Sequence, residues 1–208
     1  MARPRDADSA KTYERIVAAA LEEVRASTPR NAISMRKVAE RAELSLGTIQ
    51  YYFERKEDLL EACLNGFYER LGQVAVRVIQ ETASGSVPAG RPTTENAVRT
   101  FYRFVCEEHA LIELRLVTNA MRGELHPQRQ PDFLGDIIGE AARAAAKHVQ
   151  VDELDTRMAT QAISSTLVRF ALMSESERRF LTGKDTSDEE FEELVIRMAC
   201  RLVRPGDG

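Results

Sequence analysis

The chain has 208 residues, 43% of them hydrophobic and 30% charged, with a formal net charge of −4. That length suits one large domain or a small head on a larger body. The acidic balance argues against a protein that coats nucleic acid over its whole surface. Ala, Leu, Glu and Arg dominate, and the seven prolines leave long intervals unbroken, so the expected fold class is all-α. No run of about 18 apolar residues is present, so no membrane span is expected. The opening MARPRDADSAK lacks the apolar core of a secretion signal. Cys63, Cys106 and Cys200 are too few and too scattered for a disulfide framework; buried free thiols in a reducing cytoplasm are the expectation.

Charge divides unevenly. Residues 1–57 hold 11 Lys+Arg against 9 Asp+Glu, and residues 58–208 hold 18 against 24. A mildly basic head on an acidic body is weak support for nucleic-acid binding by the head.

A first helix is predicted over 9–26, where Tyr13, Ile16, Val17, Ala20, Leu21 and Val24 recur at three and four. Ser34 then stands as an N-cap whose hydroxyl can accept from a free N–H, with Ile33 and Val38 at the hydrophobic-staple positions. Leu44, Ser45 and Ile49 repeat the device. Two short helices joined by Ala42-Glu43-Leu44 make a rigid helix-turn-helix unit. Ala39 is small where the two must approach, and Leu46, Gly47, Thr48, Gln50, Tyr51 and Tyr52 form the outer face of the second. Side chains so placed face base edges in helix-turn-helix proteins. Gly47 weakens a helix interior, but here it lets a phosphate approach the backbone.

A long helix follows over 57–82, then a loop at 83–92. Helices are predicted near 93–107, 109–121, 131–149, 152–175 and 187–203, the last opened by a capping box from Ser187 to Glu190. The stripes Ile163, Leu167, Phe170 and Phe191, Leu194, Val195, Met198, Leu202 suit either one chain's core or a four-helix dimer interface.

At residues 33–59 the sequence resembles the tetracycline-repressor (TetR) family of bacterial transcription regulators. Ile33, Val38-Ala39, Ala42, Leu44-Ser45, Gly47-Thr48-Ile49, Tyr52-Phe53 and Lys56-Glu57-Asp58-Leu59 carry the likeness. It implies a DNA-binding head at 1–57 and an effector-binding, dimerising body at 58–208. It also implies a homodimer on a near-palindromic double-stranded operator, released by a small-molecule effector. Thr48, Tyr52 and Lys56 would hold phosphates, as would Ser34 and Arg36; Ser45 and Gly47 shape the same face. Gln50 and Tyr51 would read bases, while Phe53 is expected in the core. For Tyr51 the alternative is packing against the first helix. Arg3 and Arg5 form either a minor-groove arm or a disordered tail.

The sequence departs from the family at Glu43 (usually Gly), Leu46 (often Lys), Gln50 (often Tyr), Tyr51 (often His) and Arg55 (usually a small cap). Gln50 can pair with an adenine edge, and Leu46 offers only apolar contact. The family's architecture implies an effector pocket, with Phe67, Leu71, Phe101, Phe104, Arg115, Asn119 and Met121 as candidates; Arg115 would favour an anionic or carbonyl-bearing ligand.

Two other classes compete. For an enzyme, no nucleophile elbow, phosphate loop, dinucleotide fingerprint or Cys-x-x-Cys is present, and no cofactor is expected. His109 and Glu113, four apart, lack a third metal ligand. The second class is a helical adaptor that keeps the head's shape without binding DNA.

Overall fold

The computed structural model describes residues 5–27, 33–83, 91–122 and 153–202. Among them are α1 (Arg5–Ala26), α2 (Met35–Arg41), α3 (Leu46–Tyr52), α4 (Lys56–Ala83), α5 (Arg91–Glu107), α6 (His109–Arg122), α7 (Glu153–Ala171), α8 (Glu175–Thr182) and α9 (Asp188–Leu202), and no strand. The chain is all-α, as expected. The helix predicted over 131–149 and most of the loop predicted at 83–92 lie outside the described residues, as does Arg3.

The chain forms two compact units, Met1–Glu69 with Ala110–Glu124, and Arg70–His109 with Leu125–Gly208. In the first, α1 packs on α2 and α2 on α3. Ile16, Ala20 and Val24 of α1, Val38 and Ala39 of α2 and Ile49 of α3 are buried. Leu59, Leu60, Cys63, Leu64 and Phe67 of α4 are buried, as are Leu111, Ile112 and Leu114 of α6. Burial pushes the Cys63 thiol up to about 12, so this cysteine is unreactive; Cys106 and Cys200 are only half-buried.

Helix α2 ends in a Schellman turn. Leu44 N–H donates to the Ala39 carbonyl at 3.0 Å, and Glu43 N–H to that of Glu40 at 3.1 Å. The left-handed position, φ 51°, is Glu43, where a side chain costs about 1 kcal/mol. Glu43 is exposed, so Glu43→Gly loses no packing and should stabilise the head by about 0.5–1 kcal/mol. Urea denaturation checks this; a destabilised variant would contradict it.

A second brace was not legible as a motif. Glu23 of α1 is buried and accepts from Arg41 Nε at 2.9 Å, with Lys37 Nζ at 3.5 Å, so α1 and α2 are tied by charge as well as packing. Burial alone would raise the Glu23 carboxyl. The Arg41 hydrogen bond and the nearby Lys37 and Arg41 charges outweigh burial and hold it below its ordinary 4.5. A carboxyl lowered in the folded state stabilises fully above its unfolded value and loses that stabilisation as pH falls through its folded value. The head's melting temperature should therefore fall as the pH drops below about 4.5, and Glu23→Gln should flatten that fall. An unchanged acid profile in the variant would contradict it.

In the second unit α5, α7 and α9 pack on one another around Val98, Tyr102, Leu167, Phe191, Val195, Ile196 and Ala199. Arg99 of α5 ties α9 down through Glu192 at 2.9 Å and Glu193. The single helix predicted over 152–175 is corrected. α7 stops at Ala171, and Ser174 opens a separate helix α8 with a capping box, its N–H donating to Glu177 Oε2 at 2.9 Å and its Oγ accepting from Glu177 N–H at 3.3 Å. Gly183, φ 72°, ends it in the left-handed region. The Ser187–Glu190 capping box forms as expected, at 3.2 and 3.1 Å. Helix α1 begins at Arg5, four residues before the predicted start.

Candidate nucleic-acid interface

Helix α3 is two turns long, too short to hold itself, and its neighbours hold it. Ser45 caps it, its Oγ accepting from Thr48 N–H at 3.0 Å and lying 2.8 Å from Thr48 Oγ1. Ile49 points fully inward. Phe53, just past the helix, is buried as expected and stacks at 5.3 Å on Tyr13 of α1. Ser34 has the extended backbone of an N-cap, yet its hydroxyl makes no capping bond, so that expectation is corrected.

The opposite face of α3 is open. Gln50 and Gly47 are exposed, Leu46 and Thr48 half-buried. Tyr51 is 85% exposed and stands edge-on to the Tyr52 ring at 5.4 Å, which overturns the alternative that it packs against α1. An exposed tyrosine forgoes the burial that normally stabilises an aromatic ring. At Gly47 an added Cβ would meet, among the described residues, only Ser45 Oγ, at 3.7 Å. No described residue requires glycine there, and the open backbone leaves room for a close approach from outside.

The flanks complete the surface. Arg36 is exposed, and Ser34 and Lys56 are half-buried, Lys56 as the first residue of α4. Arg55 takes the cap position of α4, and Asp58 compensates for its lack of a small capping side chain. Asp58 Oδ2 accepts from the Arg55 backbone N–H at 3.2 Å, and Oδ1 from the guanidinium at 2.8 Å. The Arg55 hydrogen bond holds the Asp58 carboxyl below its ordinary range. Sequence reading missed one contact on this face: Tyr52 Oη lies 3.1 Å from Ser9 Oγ of α1.

Residues 16–63 match the family described as bacterial regulatory proteins, tetR family. The head is of the TetR type. Its fold is shared by solved structures along almost its whole length. A protein of Mesorhizobium loti, provisionally described as a TetR-family transcriptional regulator, is 18% identical with a TM-score of 0.58, covering 94% of this chain and 96% of that one. A transcriptional regulator of Aquifex aeolicus is 14% identical with a TM-score of 0.56, covering 93% and 99%. A provisionally described regulator of Streptomyces coelicolor is 22% identical with a TM-score of 0.54, covering 92% and 98%. At these identities the likeness is one of fold. No curated relative matches the chain in sequence.

Beyond the TetR-type head, the effector candidates divide between the two units. In the first, Phe67 is buried, while Arg115 is half-buried with its Cζ 5.7 Å from the Tyr68 ring centre and its buried Nε without an acceptor among the described residues. In the second, Leu71 and Phe104 are buried and Phe101 half-buried. The side chains of Asn119 and Met121 lie outside the described residues. His109 Nδ1 lies 3.1 Å from the Cys106 carbonyl oxygen, and among the described residues no cluster of three or more metal-ligating side chains forms. No described helix is long and apolar enough to cross a membrane.

The interface candidates separate by exposure. Leu167, Phe191 and Val195 lie in their own chain's core, with Ile163, Phe170 and Met198 packed partly buried against it. Leu194 and Leu202 are exposed, joined on α7 by the exposed Leu154 and Met158.

Proposed function

We propose that this regulator is a dimeric repressor whose head, residues 1–57, binds a near-palindromic operator, and whose body, residues 58–208, dimerises and binds a small-molecule effector. The observation that carries the reading is the open face of α3. Ser45, Ile49 and Phe53 hold the helix rigidly, and it turns Gly47, Gln50 and Tyr51 outward. Gln50 and Tyr51 read bases in the major groove, and Leu46 offers an apolar edge to a thymine methyl. Thr48, Tyr52, Lys56, Ser34 and Arg36 hold the backbone on either side. The rigid, open face favours this over an adaptor, whose surface has no need of a glycine at position 47.

Dimerisation rests on the exposed Met158, Leu194 and Leu202, apolar side chains open to solvent in their own chain. The Arg115 Nε, buried without an acceptor among the described residues, favours an effector bearing a carboxylate or carbonyl, since a buried donor without an acceptor is costly. Effector release follows only if the ligand prefers one spacing of the two heads over another. The protein acts in the cytoplasm, as a regulator rather than an enzyme.

Selection of bound duplexes from a random-sequence pool tests the reading. It should return a near-palindrome with half-sites one helical turn apart, about 34–36 Å. Recovery of unrelated sequences would contradict it.

A further inference from the structure

Tyr52 ends α3, and Ser9, 43 residues earlier, rides on α1; their hydroxyl oxygens are 3.1 Å apart, and either can be the donor. Each hydroxyl has one proton and can also accept, whereas a phosphate oxygen only accepts. If the tyrosine proton goes to a phosphate, the bond between the two hydroxyls has one possible direction, from Ser9 to Tyr52. Ser9 can supply it because α1 is already helical from Arg5.

We infer that Ser9 is a positioning residue for the backbone contact of Tyr52. It donates to Tyr52 Oη and leaves the tyrosine proton directed outward to a DNA phosphate. This rests on the reading of Tyr52 as a phosphate contact. The relay has two physical effects. It fixes a ring that also stands edge-on to the exposed Tyr51. It also polarises the Tyr52 O–H, because hydrogen bonds in a chain strengthen one another. Ser9 is exposed and Tyr52 half-buried, so the bond itself adds little to folding stability, and its consequence falls on DNA affinity.

A backbone contact acts on any sequence, so the probe is a fluorescein-labelled mixed-sequence duplex, titrated at low salt and read by anisotropy. Tyr52→Phe should weaken binding about tenfold, since it removes a hydrogen bond to a charged group. Ser9→Ala should weaken it about threefold, through lost orientation and polarisation, with an unchanged melting temperature. Ser9→Thr, which keeps the hydroxyl, should bind like the parent. Combined with Tyr52→Phe, Ser9→Ala should add nothing further. A Ser9→Ala effect that persists beside Tyr52→Phe would overturn the relay and make Ser9 an independent contact. No Ser9→Ala effect beside a clear Tyr52→Phe loss would overturn the inference alone. No Tyr52→Phe effect would overturn both the inference and the phosphate role it rests on.

Discussion

Tyr52→Phe combined with Lys56→Ala should weaken binding to any duplex by at least about 150-fold at low salt, because each change removes a charge-assisted contact of about 1.5–3 kcal/mol. The change is one of affinity, not of sequence preference, since phosphates carry no base identity. The salt dependence should also flatten, the slope falling by about one for the lost lysine. Neither side chain belongs to the buried core, so circular dichroism and the melting transition should stay close to those of the parent. A double variant that binds as tightly as the parent, with the same salt slope, would remove the backbone contacts from the account. Lys56 opens α4, where an ammonium at the positive end of the helix dipole gives a concentrated positive charge for an anion.

Phe191→Ala should cost about 3–5 kcal/mol of stability, the usual range for truncating a buried phenylalanine. The ring is 2% exposed. The Phe170 ring lies 6.1 Å away, and the Arg178 guanidinium sits 4.9 Å over its face. Truncation leaves a cavity where α9 meets α5 and α7 and takes the aromatic face from Arg178. A loss of that size is a large part of a domain's total stability and should appear as a lower urea midpoint. Leu194→Ala, on the exposed side of the same helix, should instead shift the dimer–monomer equilibrium and leave the monomer's folding almost unchanged. A Phe191→Ala loss below about 1 kcal/mol would contradict the burial assigned to this ring.

What was legible in the sequence was local. Ser45 with Leu44 and Ile49, and Ser187 with Glu190, are short-range patterns whose geometry follows from a few adjacent residues. The α2–α3 turn was legible for the same reason, and Glu43 marks where its left-handed backbone had to fall. The pattern Ser174-x-x-Glu177 was equally present, with Gly183 at the far end. Helical propensity runs on through 172–174, so the sequence reads as one helix although the chain breaks there.

Contacts between distant residues leave no such trace. Glu23 looks like a polar break in a helical stripe until Arg41, 18 residues on, reaches it. Ser9 gives no sign that it meets Tyr52. Periodicity shows that a face is apolar but not what covers it, so Leu167, Phe191 and Leu202 read alike in the sequence. The first two are covered by their own chain, and Leu202 is open. The effector candidates share this ambiguity, since a buried Phe67 or Phe104 suits a solid core as well as a pocket wall.

The most direct test of the central claim is fluorescence anisotropy of the purified full-length protein against DNA from immediately upstream of its own gene. A scrambled duplex serves as control, and the titration is repeated at several salt concentrations. The account predicts tight binding to the upstream DNA over the scramble, with affinity falling steeply as salt rises. Equal, weak binding to both duplexes, without salt dependence, would contradict it.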